Sequence, residues 1–195
     1  MFGDSPGTGD GAALSGPEDH AHLHRLGALC DAVIVGAGTV IADDPRLTVR
    51  EVEGDNPVRV VLDAHARIPA HAAVLTDDAA PTLWLVGPDA EVPEVGAHVE
   101  VVRVDDEAFA PDRILDLLRD RVLHRVLVEG GGTTVSRFLA AGCLDRLHVT
   151  TVPVFLGEGV AGVRITPANR VADAERLSSR RFVLGNDVLT DYALR

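Results

Sequence analysis

DAVIVGAGTVIADDPRLTVR, residues 31–50, is the stretch on which the fold turns. DAVIV is a short apolar run of strand character, and Gly36-Ala37-Gly38 follows it directly. A strand leading into G-x-G is how a dinucleotide-binding turn opens. The Rossmann form, G-x-G-x-x-G, uses its third glycine for close helix–strand packing. Here Ile41 stands in that third place. Pro45 would then stop a crossover helix after two turns, because it lacks an N–H and clashes one turn back. Only Asp63, at the end of the next strand, stands roughly where a ribose-binding acid would. Two readings remain: a nucleotide loop of non-Rossmann type, or a plain glycine turn at a strand end. In the first, Gly36, Ala37 and Gly38 let the backbone lie against a flat ligand, and Thr39 offers a hydroxyl. Asp43 and Asp44 precede the proline as loop charges or helix-end caps. Arg46 and Arg50, one helical turn apart in sequence, are both candidates for a phosphate.

A second glycine stretch, VLVEGGGTTVSRFLAAG at 126–142, is more specific. A strand ends in Glu129, three glycines follow, and a helix is expected from about Thr133. Unpaired N–H groups at a helix start attract phosphate oxygens, and glycine lets a ligand approach the backbone. Thr133, Thr134 and Ser136 add hydroxyls. The glycines would equally serve a tight strand-to-helix connection. Glu129 favours the ligand reading, since open α/β sheets bind ligands at the carboxyl ends of their strands.

Outward from these loops, a helix is expected over Pro17–Leu29, with Pro17 in its first turn and Glu18 and Asp19 facing its dipole. Strands are expected at 31–35, 58–64, 82–87, 99–104, 124–129 and 144–155. Helices are expected at 111–122 and 133–142. Residues 180–195 have the pattern of a hairpin turning at Gly185-Asn186. Helices alternate with strands and then strands pair locally, which gives an α/β fold with a mostly parallel sheet and an antiparallel C-terminal edge. Residues 1–16 are Gly-rich and polar and read as a mobile N-terminal segment ahead of one domain, 17–195.

Composition narrows the function. The chain has 195 residues and a formal charge of −12, from 18 basic and 30 acidic residues. That balance disfavours nucleic acid, whose phosphates require a basic face. No apolar run approaches membrane-spanning length, and no secretory leader is recognisable. Cys30 and Cys143 read as reduced thiols of a cytoplasmic protein. All the basic residues are arginine. A Walker P-loop and Schiff-base chemistry both need lysine, so both are excluded. His20, His22 and His24 lie close together, but only His20 and His24 share a helical face. No Cys or Glu completes a zinc set, so no metal is expected. The other histidines are scattered, and no G-x-S-x-G elbow occurs.

Residues 31–50 and the stretch VLVEGGGTTVSRFLAAGCLDRLHVTTVPVFLG (126–157), with NPVRVVLDAHARIP (56–69) between them, closely resemble the reductase domain of bacterial riboflavin biosynthesis. The likeness runs from about Ser15 to the end. That domain is usually the C-terminal half of a deaminase–reductase, and the deaminase half with its zinc signature has no counterpart here. The resemblance implies a stand-alone reductase with a dihydrofolate-reductase-like, three-layer α/β fold, a mostly parallel central sheet and an antiparallel C-terminal hairpin. It implies NADPH as cofactor, a small-molecule substrate and a homodimer. The reaction it implies is reduction of a phosphorylated ribosylaminopyrimidine, as in a 5-amino-6-(5-phosphoribosylamino)uracil reductase, with hydride delivered to the sugar C1′ of the ring-opened imine.

Carried over by position, Gly36, Gly38, Thr39 and Asp43 would meet the cofactor. Gly131, Gly132, Thr133, Thr134 and Val135, on to Arg137, would hold its phosphates and ribose. Leu47, Arg50 and Glu129 would bind substrate, with Arg50 at the ribose phosphate. Glu129 and Asp43 are the acids expected near the reacting centre. Pro153 and Gly157 would shape the strand after the second loop. Two departures from the family pattern stand out. Its usual opening strand, ending in a Ser-Leu-Asp-Gly-like turn, has no match in MFGDSPGTGDG, and Ala13 replaces an aromatic. Gly27 occupies the place of a substrate-binding arginine. Two alternatives follow: a reductase of another pterin- or pyrimidine-like substrate, or a nucleotide-binding homologue without turnover.

Overall fold

A computed structural model describes residues 14–155, 157, 162–165, 170, 174 and 176–195. The expectation that 1–16 are mobile falls mainly outside these residues. Helix α1 spans Pro17–Leu29, and β1, Ala32–Gly36, follows it. Helix α2 covers Ala37–Asp43, two turns, and ends with Asp44 in the left-handed conformation at φ 41°. Asp44 Oδ1 accepts from Ala73 N at 2.7 Å. The chain then runs without regular structure past Pro45 and Leu47 (φ 54°), so no crossover helix forms.

Strands β2 (Val58–Leu62), β3 (Thr82–Val86), β4 (Val99–Arg103) and β5 (Val126–Val128) complete a five-stranded sheet of order β4-β3-β2-β1-β5. All its pairings are parallel. Short helix α3 (Ala73–Thr76) lies between β2 and β3. Helix α4 (Pro111–Asp120) precedes β5 and α5 (Gly132–Ala140) follows it. Parallel strands covered on both faces read as continuous apolar runs, and Ala32, Val33, Ile34 and Val35 are all buried. One apolar layer gathers Val35, Val40, Val61, Trp84 and Val86; the other gathers Ile34, Val60, Leu85, Ile114, Leu118 and Phe138.

The antiparallel strands do not extend this sheet. Strands β6 (Arg146–Thr151), β7 (Ser179–Leu184) and β8 (Asp187–Ala193) form their own sheet of order β6-β8-β7. The expected hairpin turns at Gly185, φ 62°, between β7 and β8. β6 stops at Thr151, short of the predicted 155, because Pro153 cannot donate to a ladder. β5 at the end of one sheet and β6 at the end of the other are therefore both edge strands.

Candidate active site

The two glycine loops interlock at the carboxyl ends of β1 and β5. Thr39, in the first turn of α2, accepts a hydrogen bond from Gly131 N at 2.9 Å. Gly130 has φ +102°, and a Cβ there would stand 2.6 Å from Thr39 Oγ1. A Cβ on Gly36 would stand 2.6 Å from Thr134 Oγ1. Each loop thus seats its threonine over a glycine of the other, and both positions are closed to a side chain. Sequence reasoning did not single out Gly130, although the three-glycine run contains it.

Helix α5 starts at Gly132 with Gly131 as N-cap and no side-chain cap. Its first-turn N–H groups therefore lack a side-chain acceptor, the usual condition for holding an anion. Gly38 is exposed, and a Cβ there would meet nothing within 4 Å, so a flat group has access to the backbone. Backbone access at α2 beside an uncapped helix start fits a dinucleotide, with its phosphates at α5. The Arg137 guanidinium donates to Phe109 O at 3.0 Å. Ser136 Oγ accepts from Arg164 N at 2.7 Å and so fastens a later loop to α5.

Glu129 follows β5, and its N–H donates to Ile34 O at 2.9 Å. Glu129 lines a cavity of about 590 Å³ whose walls include residues of β5 and β6. No hydrogen bond or ion pair to the Glu129 carboxyl occurs among the described residues. Burial pushes its pKa up from the ordinary 4.5 to about 7. A carboxyl poised near neutrality in a cavity is able to hold or give up a proton under working conditions. Val135 lines the same cavity.

Asp43, Leu47 and Arg50 lie apart from this cavity. Asp43 is exposed at the end of α2. Leu47 packs against the Val35–Trp84 layer. Arg50 is exposed, and its backbone N–H donates to His24 Nδ1 at 3.3 Å. Gly27 is buried under this segment, 3.6 Å from Val49 Cγ2 at its Cβ position, while Arg25 is exposed. Arg46 lies 3.9 Å from Asp77. Asp63 has a structural task as well. It is buried and accepts from Ile68 N and Trp84 Nε1 at 3.0 and 3.4 Å, so it is no ribose ligand.

The histidines separate. His24 meets Arg50 and lies 4.0 Å from Glu51. His22 stacks on His148, with ring centroids 5.5 Å apart. Burial, then the neighbouring His148, holds the His22 pKa below its ordinary value. His148 in turn approaches Asp191 at 3.3 Å, and Thr150 Oγ1 donates to Asp19 at 2.6 Å. This polar cluster between α1, β6 and β8 joins residues too far apart in sequence to be linked by any motif. Among the described residues no group of side chains could hold a metal ion, and no helix is long and apolar enough to cross a membrane.

The family model of the RibD C-terminal domain matches residues 5–187. A 2,5-diamino-6-ribosylamino-4(3H)-pyrimidinone 5′-phosphate reductase of Methanothermobacter thermautotrophicus is 38% identical over 191 residues, 93% of this chain and 88% of that protein. A reductase of the same name from Archaeoglobus fulgidus is 35% identical over 156 residues, 74% of this chain and 71% of that one. Among solved structures, a Thermotoga maritima deaminase/5-amino-6-(5-phosphoribosylamino)uracil reductase superposes with a TM-score of 0.74 at 28% identity. It covers 88% of this chain, which spans only 47% of that two-activity protein. Interlocked glycine loops, a parallel sheet with a separate antiparallel sheet and similarity along most of the length agree: the chain belongs to the RibD C-terminal domain family, the reductases of riboflavin biosynthesis.

Proposed function

We propose that this chain reduces a ribosylaminopyrimidine 5′-phosphate with NADPH, delivering hydride to the sugar C1′ of the ring-opened imine. The observation that carries the reading is the Thr39–Gly131 lock, which holds the uncapped start of α5 beside the exposed backbone of Gly38. The backbone of Gly131, Gly132 and Thr133, with the hydroxyls of Thr133 and Thr134, takes the cofactor phosphates. Gly36 and Gly38 let the flat nicotinamide end lie on α2, with Asp43 one turn further along. When bound, the reduced nicotinamide supplies the hydride.

The protein's own contribution is orientation. Glu129 binds the polar groups of the substrate and keeps a proton near the reacting nitrogen. Arg50 takes the ribose phosphate, and Leu47 borders the pyrimidine. A homodimer suits this reading, because Phe182 and Val183 are exposed on edge strand β7 and edges need covering. Sedimentation of the purified chain checks that assembly.

The test is NADPH oxidation with the diaminopyrimidinone and aminouracil forms of the ribosylamino phosphate in parallel, and NADH as the competing cofactor. Turnover of either form with NADPH supports the proposal. NADPH binding without turnover of either would leave a nucleotide-binding homologue, and turnover of a pterin instead would reassign the substrate. Arg50→Ala should raise the substrate KM at least tenfold and leave the NADPH KM unchanged.

A further inference from the structure

Residues 44–57, which carry Leu47 and Arg50, link α2 to β2 without regular structure. Side chains from elsewhere hold their backbone. Asn56 Oδ1 accepts from Val49 N at 2.7 Å, and Asn56 Nδ2 donates to Ala79 O at 2.9 Å, just ahead of β3. The next amide, Arg50 N, donates to His24 Nδ1 of α1 at 3.3 Å. His24, Gly27 and Ala28 stand at i, i+3 and i+4 and so share one face of α1. The segment lies on that face. The Cβ position of Gly27 is 3.6 Å from Val49 Cγ2, and a Cβ on Gly54 would stand 2.5 Å from Ala28 Cβ. Thr48 is buried, whereas Arg50 is exposed; what the fold holds of Arg50 is its backbone.

The bond from Arg50 fixes the state of the His24 ring. An amide N–H only donates, so Nδ1 carries no proton, and the proton of the neutral ring sits on Nε2. Nε2 lies 4.0 Å from Glu51 Oε1, which favours that tautomer. The charged and titratable groups facing the ring are Glu51 and Arg50 on the segment and His20 on α1. Burial holds the His24 pKa below its ordinary value, against the opposing pull of Glu51 and the Thr48 backbone. A protonated ring would turn an N–H toward the Arg50 N–H, donor against donor, and this anchor would be lost.

We infer that His24, as the neutral imidazole, is a positioning residue for Arg50, holding its backbone so that the guanidinium meets the 5′-phosphate of the substrate; this rests on the phosphate role already proposed for Arg50. The ring acts through the Arg50 amide and not on the reacting atoms. Fixing the backbone of an exposed arginine limits the directions its side chain can take, which is how orientation is gained before the substrate arrives. Acid releases the anchor, so phosphate recognition weakens when the ring takes up a proton. A side chain that merely filled space at position 24 would show no such dependence.

The experiment measures Kd for the ribosylaminopyrimidine 5′-phosphate and for NADPH by titration calorimetry. It compares the intact parent with His24→Ala, His24→Asn, Arg50→Ala and the double variant of His24→Ala with Arg50→Ala. Asparagine offers an amide oxygen in the place of Nδ1 and does not titrate. His24→Ala should raise the substrate Kd about three- to tenfold and leave the NADPH Kd within about twofold. His24→Asn should restore most of the loss. In the Arg50→Ala background the His24 substitution should add nothing, because residues acting as a unit are not additive. As pH falls from about 8 to about 5, the substrate Kd of the parent should climb relative to that of His24→Asn. The phosphate itself gains a proton in that range, equally for both proteins, so the ratio isolates the ring. Amide exchange at Arg50 should quicken in His24→Ala and not in His24→Asn. A His24→Ala protein with the parent's substrate Kd, while Arg50→Ala raises it, overturns the inference and leaves the proposed function standing. Additive losses in the double variant, or an equal rise in the NADPH Kd, also overturn it and make His24 a residue of general stability. An Arg50→Ala protein that binds the substrate as the parent does removes the phosphate role of Arg50, and this inference with it.

Discussion

Thr39 Oγ1 accepts a hydrogen bond from Gly131 N at 2.9 Å across 92 residues of sequence. That bond joins the loop after β1 to the loop after β5, and it fixes where the first turn of α5 begins. Neither loop alone makes the proposed cofactor site; the pair does.

Thr39→Val removes the acceptor while keeping the shape, and leaves the Gly131 N–H without its partner. A lost hydrogen bond of this kind costs about 1 kcal/mol, and more where the orphaned group is shielded from water. The NADPH KM should rise about tenfold, the factor that 1.4 kcal/mol sets, and unfolding should move to lower denaturant. Thr39→Ser keeps the oxygen and should restore most of both. Steady-state kinetics beside chemical denaturation reads the difference, and a Thr39→Val enzyme indistinguishable from the parent would remove the lock from the account.

Two glycines of these loops should respond in opposite ways. Gly130 has φ +102° and no room for a Cβ against Thr39. Gly130→Ala should destabilise the fold by about 1–3 kcal/mol through backbone strain and weaken NADPH binding with it. Gly38 lies in α2 with open space around its Cβ position. Gly38→Ala should leave the fold intact, or stabilise it by up to about 1 kcal/mol from helix propensity, while still weakening NADPH, since on the proposed function the added methyl stands where the cofactor would lie. Thermal unfolding and NADPH titration of both variants separate a structural glycine from a binding one.

The sequence was most legible where one physical rule acted alone. Pro17, Gly142 and the Gly185-Asn186 turn mark element ends through backbone geometry, and the structure has ends there. Pro45 correctly ruled out a Rossmann crossover helix. Asp63 misled because a strand-end acid has two uses, and only the Trp84 indole and Ile68 N–H beside it decide between them. The separate antiparallel sheet could not be read, since residues 126–128 and 146–151 pattern as strands whether or not they pair with each other. The His22–His148–Asp191 cluster was equally hidden, because it is assembled by the packing of α1 on β6 and β8. Nor does the motif foretell that the Arg137 guanidinium bonds Phe109 O.

Asp191 should anchor the second sheet. Its buried carboxylate accepts from Arg146 and from Arg180 and approaches His148. The hydrogen bond from Arg146 is the main cause that holds its pKa down at about 2, below the ordinary 3.8. A carboxylate with a depressed folded-state pKa contributes stability above its unfolded value, and loses it as pH falls through the folded one. Asp191→Asn should therefore lower the thermal midpoint at pH 7, and the gap to the parent should close between about pH 4 and pH 2. A gap that persists unchanged into acid would assign the loss to packing rather than to charge.

Glu129 should show the opposite pH dependence. Its folded-state pKa is about 7, above the ordinary 4.5, through burial. Below about pH 4.5 the folded and unfolded chains both carry the proton, and the residue costs nothing. As pH rises toward 7 the unfolded chain releases its proton first, so the fold loses stability; above that the cost is constant. Glu129→Gln cannot ionise, so it should be more stable than the parent at pH 8 by about 1–3 kcal/mol, the upper figure discounted for partial exposure, and equal to it near pH 4. Catalysis should move the other way. If the protonated acid serves the reacting nitrogen, kcat/KM of the parent should fall as pH rises through about 7. Glu129→Gln should lower kcat/KM by about a hundredfold or more and lose that basic limb, while its NADPH affinity stays within about twofold. A variant that is more stable, still binds cofactor and no longer turns over would show that burial of this carboxyl is maintained for chemistry at a cost to the fold. A parent profile flat from pH 6 to pH 9 would instead make Glu129 a binding group whose proton takes no part in the reaction.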